Sequence, residues 1–155
     1  MSRMEKRYAA RLGAVQALYE MEVSGKGVHE AVVEFEAHWL NQEVEDVPAR
    51  AADAAFFRDV VAGFVREQKM LDQRIDDALQ KGWPLKRIEM VLRAILRAAS
   101  YELYFRSDVP ARSVITEYVD VAHAFYERDE AGLTNAVLDA LARDARPGEL
   151  AQRGA

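Results

Sequence analysis

The sequence contains no cysteine. That excludes a disulfide framework, a thiolate metal site and a cysteine nucleophile, and it suits the cytoplasm. Histidine is scarce as well, with three in 155 residues, at 29, 38 and 123. His29 and His38 are nine residues apart and point to different sides of one predicted helix. His123 has Asp120 three before it and Glu127 four after it. That spacing allows a weak metal site or, more commonly, a solvated helix face with local ion pairs. There is no G-x-S-x-G elbow and no phosphate-binding G-x-x-x-x-G-K-[ST] loop. Nothing therefore supports an enzyme, a cofactor or a metal centre. Long hydrophobic runs are missing too. The most apolar stretch, Val91 to Ala99, is broken by Arg93 and Arg97, and a membrane span needs about 18 consecutive apolar residues. The charged start, Met1 to Arg7, lacks the apolar segment of a secretory signal.

What is present reads as a folded, soluble helical chain. Hydrophobic residues make up 50% and charged residues 30%, enough for a sizeable core under a well-solvated surface. The net charge of −5 argues against a general polyanion binder. The charge is uneven, however. Arg3, Lys6, Arg7 and Arg11 face one acid, Glu5, whereas residues 30 to 53 are dominated by Glu and Asp. A local basic patch still attracts phosphate on an acidic protein, because salt screens charges beyond about 10 Å.

Apolar residues recur at helical spacing along the whole chain. Tyr8, Leu12, Val15 and Tyr19 define the face of a first helix, which Ser24-Gly25-Lys26-Gly27 stops. Val28, Ala31, Val32, Phe35 and Trp39 define a second, and Asn41 to Pro48 reads as an acidic loop. A third helix is expected from about Ala51 to Gln80, with a bend near Glu67 and Gln68. Pro84 suits the first position of a fourth helix running to Leu103. Ile115, Tyr118, Ala122 and Phe125 mark a fifth, and Leu133, Val137, Ala140 and Leu141 a sixth. The fold class is all-α: two packed three-helix bundles, 1–81 and 82–147, followed by a disordered tail at 148–155. Trp83 is expected to plug the seam between the halves.

Arg3, Lys6, Arg7 and Arg11 fall at i, i+3, i+4 and i+8, one stripe near a helix start. Free N–H groups and the helix dipole favour a phosphate there. Gln16 and Tyr19 lie further along, able to hydrogen-bond or stack on a base. A solvated polar face is the alternative reading. Lys86, Arg93 and Arg97 form a second basic line, read as surface or partner contact.

Several segments, in order, resemble one family. Ala10-Arg11-Leu12-Gly13-Ala14-Val15-Gln16-Ala17-Leu18-Tyr19 resembles the first helix of the NusB transcription antitermination family. Phe57-Arg58-Asp59-Val60-Val61-Ala62-Gly63 is similar to its third. Leu92 to Leu103 is similar to its fourth, Asp108-Val109-Pro110 with Val114 to Ala122 to its fifth, and Asn135-Ala136-Val137-Leu138-Asp139 to its last. The resemblance spans about residues 7 to 143.

It implies a non-catalytic RNA-binding adaptor of transcription elongation. The expected partners are boxA-type single-stranded RNA and the ribosomal protein NusE, and indirectly RNA polymerase and other Nus factors. Carried over by position, the RNA face comprises Arg3, Lys6, Arg7, Arg11, Gln16, Tyr19 and the segment of Asp129, Leu133 and Asn135. Gly132 and Leu133 stand where the family often has a basic residue and an aromatic, which predicts weak RNA binding by the free protein. Two other readings remain. One is a helical adaptor that binds protein only. The other is the RNA-binding domain attached to some ribosomal RNA cytosine methyltransferases, against which the absence of a methyltransferase domain in these 155 residues argues.

Overall fold

A computed structural model describes residues 3–40, 47–79 and 84–151, with side chains from 5–38, 53–79 and 84–150. Among the described residues all regular structure is helical. Helix α1 (Arg3–Ser24) ends where Gly25 takes φ +75 and its N–H donates to the Met21 carbonyl at 2.9 Å, a left-handed cap that glycine adopts without strain. Helix α2 (Val28–Leu40) follows. Helix α3 (Val47–Arg66) starts earlier than its apolar pattern suggests, with Pro48 in the first turn, where no intrahelical N–H bond is lost. The bend comes at Glu67, whose N–H is shared between the Gly63 and Phe64 carbonyls, both at 3.1 Å. Helix α4 (Gln68–Ala78) then leaves the first bundle and packs on α5 and α7. Helix α4, which lies ahead of position 81, thus contacts helices of the second half of the chain.

The fourth helical line is split. Pro84 precedes a 3-10 turn at Leu85–Arg87, Ile88 is extended, and helix α5 (Met90–Phe105) begins a turn later. The split buries both Leu85 and Ile88. The Asp76 carboxylate accepts the Leu85 N–H at 2.9 Å, and the Arg93 guanidinium donates to the Leu85 and Lys86 carbonyls. The Glu89 carboxylate accepts the Val91 N–H at 3.2 Å and caps α5.

Helices α6 (Ala111–Phe125) and α7 (Arg128–Ala145) complete the second bundle. Order does not stop at Pro147, as the proline-glycine pair suggests. Pro147–Ala151 forms a short helix α8, with Leu150 buried. The Glu149 carboxylate accepts the Ala111 N–H at 2.7 Å, capping α6 from a distance. Arg146 donates to the carbonyls of Glu102, Leu103, Arg106 and Val109, closing the end of α5. Residues 152–155, the loop at 41–46, and Lys81, Gly82 and Trp83, with the seam role predicted for Trp83, lie outside the described residues.

Helix α1 is the seam. It packs on α2 and α3 on one side and on α5 and α6 on the other. Its buried face is turned relative to the predicted one. Ala10, Ala14, Val15, Ala17 and Leu18 are buried, whereas Tyr8 and Leu12 are half-buried and Tyr19 is exposed. The alanines let neighbouring helices approach closely. The same device recurs at Gly63 on α3, where a Cβ would run into the buried Tyr101 ring of α5. Phe57, Phe64, Leu71, Ile75, Ile95, Leu96, Leu103, Tyr118, Leu138 and Leu141 form one continuous core through both bundles.

Candidate nucleic-acid interface

The basic stripe of α1 does not stay together at the surface. Arg11 is 3% exposed. Its Nε and Nη2 donate to the two oxygens of the fully buried Glu102, each at 2.9 Å, and Nη1 donates to Glu117 at 3.1 Å. The Tyr118 hydroxyl donates to the same Glu102 carboxylate at 2.5 Å. Burial alone would lower the Arg11 pKa, but the hydrogen bond and charge of Glu102 raise it above the ordinary value. Burial, then Glu102, holds the Tyr118 hydroxyl well above the ordinary tyrosine range. Burial, with Asp120 and Glu102 beside it, raises Glu117 despite Arg11. Contrary to the expected RNA contact, Arg11 is an internal brace tying α1 to α5 and α6, its donors taken up by Glu102 and Glu117.

Arg7 is different. Its guanidinium lies 4.1 Å from the centre of the Phe56 ring, and its Nε is shut off from solvent with no hydrogen-bond partner. Burial, then the nearby Arg11 and Arg106, lowers its pKa, while Asp53 opposes them. Lys6 is half-buried and engaged with neighbours. Arg3 lies in α1, its side chain outside the described residues.

Gln16 and Tyr19 are exposed on α1, but Gln16 follows Arg7 by nine residues, two and a half turns, and so points half a turn away from it. On α7, Asp129 and Asn135 are exposed and Leu133 is half-buried against the core. Helices α5 and α6 each pack on both α1 and α7. The candidates thus form an N-terminal arginine site, an outward face at Gln16 and Tyr19, and the first turns of α7. Gly132 is exposed and helical, and a side chain there would meet open space.

The second basic line also turns inward. Arg93 pairs with Glu22 at 2.7 Å and Arg97 with Asp72 at 2.9 Å, joining α5 to α1 and α4. Asp120, His123 and Glu127 are exposed, and α6 ends at Phe125, so Glu127 does not share their helix. Periodicity missed Phe56, Arg106, Glu102 and Tyr118 as parts of this region. One signal was available: Glu102 sits inside the otherwise apolar run Tyr101 to Tyr104, where a carboxylate needs a buried cation.

An all-α double bundle with a polar brace at its seam and an arginine stacked on an aromatic at one end defines a helical binding scaffold. The NusB family profile matches residues 8–143. The transcription antitermination protein NusB of Nitrobacter hamburgensis is 63% identical over 147 residues, covering 95% of this chain and 92% of the relative. That of Rhodopseudomonas palustris is 60% identical over 144 residues, covering 93% and 85%. Among solved structures, NusB of T. maritima superposes with a TM-score of 0.76 at 26% identity, covering 94% of this chain and 96% of that one. A crystal structure of antitermination factors NusB and NusE with double-stranded RNA gives 0.76 at 24% identity, covering 91% and 98%, and shares the fold. The chain belongs to the NusB family.

Proposed function

We propose that this chain is a non-catalytic transcription antitermination factor. It binds boxA-type single-stranded nascent RNA jointly with the ribosomal protein NusE, in the cytoplasm, and through that pair joins other Nus factors on RNA polymerase. The observation that carries the reading is identity of about 60% with transcription antitermination proteins over nearly the whole chain. The shared fold with a NusB that was solved together with NusE and RNA supports it.

The RNA-facing set is Arg3, Lys6, Arg7, Gln16, Tyr19, Asp129, Leu133 and Asn135. The division into units at 1–81 and 82–147 is part of the same reading. Arg7 and Lys6 supply charge, Tyr19 an exposed ring for a base, Asp129 and Asn135 hydrogen bonds, and Leu133 an apolar contact. Internal pairing of Arg11 and the missing cation at Gly132 leave the free protein a thin electrostatic footprint, so NusE must contribute basic surface. The same two features favour the second reading, a protein-only adaptor.

Fluorescence anisotropy of a labelled boxA-type RNA separates the readings. Weak binding by the chain alone and tight binding with NusE are expected. Tight NusE binding with no gain in RNA affinity over NusE alone would leave the protein-only adaptor.

A further inference from the structure

Three guanidinium groups converge on one aromatic ring. From the Phe56 centroid, Arg7 lies at 4.1 Å, Arg106 at 4.9 Å and Arg11 at 5.1 Å. The three come from α1 and the connector after α5, and Phe56 from α3, so the cluster exists only in the folded chain. Two of the cations are matched by carboxylates. Arg11 is held by Glu102 and Glu117. Arg106 donates to Asp108 through Nε and Nη2, each at 2.9 Å, and to Asp59 at 3.1 Å. The buried Nε of Arg7 has no hydrogen-bond partner, and Asp53, whose opposing charge acts on it more strongly than that of Glu102, has a contact of its own.

We propose that Phe56 is a positioning residue that holds the Arg7 guanidinium, with Arg106 beside it, as a seat for one backbone phosphate of the bound RNA. The inference rests on the RNA-binding reading above and deepens it. The ring attracts the cation through its π face and fixes the plane of the fork. That leaves the half-buried guanidinium oriented before any ligand arrives. A planar fork with donors on one edge matches phosphate better than a flexible ammonium does. Burial first, and then repulsion from Arg11 and Arg106, lower the Arg7 pKa, and a bound anion would oppose that repulsion. The cluster also lies by the first turns of α1, where the helix dipole adds a favourable field. An RNA phosphate is favoured over a protein carboxylate because the seat takes a single anion beside a helix start.

The test has two arms on the 155-residue chain. The first follows the Arg7 Nε–Hε resonance during titration with inorganic phosphate. The second measures boxA-type RNA binding with NusE present, across a salt series. The wild-type resonance should shift on adding phosphate. Phe56→Leu should abolish the shift and lower the log–log salt slope by about 0.7, one single-strand phosphate contact. Phe56→Tyr, which keeps the ring, should retain both. Arg7→Gln keeps the Phe56 ring and should match Phe56→Leu in the RNA arm, which decides the matter if the Leu variant folds poorly. An unchanged salt slope in Arg7→Gln overturns the seat while RNA binding stands. Loss of NusE affinity with an unchanged slope overturns it in favour of a partner carboxylate. No RNA binding by the wild type with NusE overturns the RNA-binding reading, and the seat for RNA with it. The phosphate arm still reports whether the anion site exists.

Discussion

Removing the Glu102 carboxylate should be among the most damaging single changes in this chain. Glu102 is fully buried and accepts three hydrogen bonds, two from Arg11 at 2.9 Å and one from Tyr118 at 2.5 Å. Glu102→Ala leaves Arg11, itself 3% exposed, with only the partly exposed Glu117 for charge balance. Breaking a buried pair by deleting one partner costs about 3–5 kcal/mol, because the other charge stays buried without its counter-charge. For a chain of this size each kcal/mol lowers the melting temperature by about 2–4 °C, so a fall on the order of 10 °C is expected. Arg11→Met should cost a similar amount. Combining Arg11→Met with Glu102→Met exchanges the pair for apolar packing of comparable volume and should recover most of the loss, giving a large coupling in a double-mutant cycle. Thermal unfolding by circular dichroism measures the stabilities, and RNA binding across a salt series measures any lost phosphate contact. An Arg11→Met protein with an unchanged melting temperature and a flattened salt dependence would refute the reasoning, since Arg11 would then face solvent and RNA.

Three further outcomes follow from the packing and the site. Gly63→Ala should destabilise the protein by about 1–3 kcal/mol despite alanine's better helix propensity, because the added methyl meets the Tyr101 ring; a chemical-denaturation midpoint at or above wild type would contradict this. Tyr118 keeps its proton in the folded state at a pH where the unfolded chain ionises near 10, so its contribution is present below that pH and lost as pH rises above it. Tyr118→Phe should therefore lessen the alkaline fall in stability by up to about 1.4 kcal/mol per pH unit, read from melting temperatures between pH 9 and 11. Gly132→Lys has room, and with Leu133→Phe it should tighten RNA binding by the free protein, a stacked base being worth about 1–3 kcal/mol; a well-folded double variant with no gain would count against α7 as an RNA contact.

The helical class was legible because the apolar spacing is helical from end to end. Gly25 announced the end of α1, and the polar interruption at Glu67 announced the α3–α4 break. The phase of α1 was misread because its buried stripe is largely alanine, which carries little hydrophobic signal, while Tyr8, Leu12 and Tyr19 draw the eye to the other side. Arg11 was misread for a related reason. A stripe of cations at helical spacing looks the same whether it meets water or a carboxylate 91 residues away. Pro84 looked like a helix start because its fixed φ suits one, but burying Leu85 and Ile88 together favours a 3-10 turn before α5. The Phe56 cluster was invisible to periodicity, since its members come from three separate segments.

Whether this chain with NusE reads a particular RNA is decided by comparing two RNAs of equal length at one physiological salt concentration. One carries a boxA-type sequence and the other the same bases scrambled, each titrated with the preformed complex. Charge alone cannot tell the two apart, since both present the same phosphates. The boxA-type RNA should bind at least about tenfold more tightly, roughly 1.4 kcal/mol. Equal affinity for the two RNAs would contradict this reading.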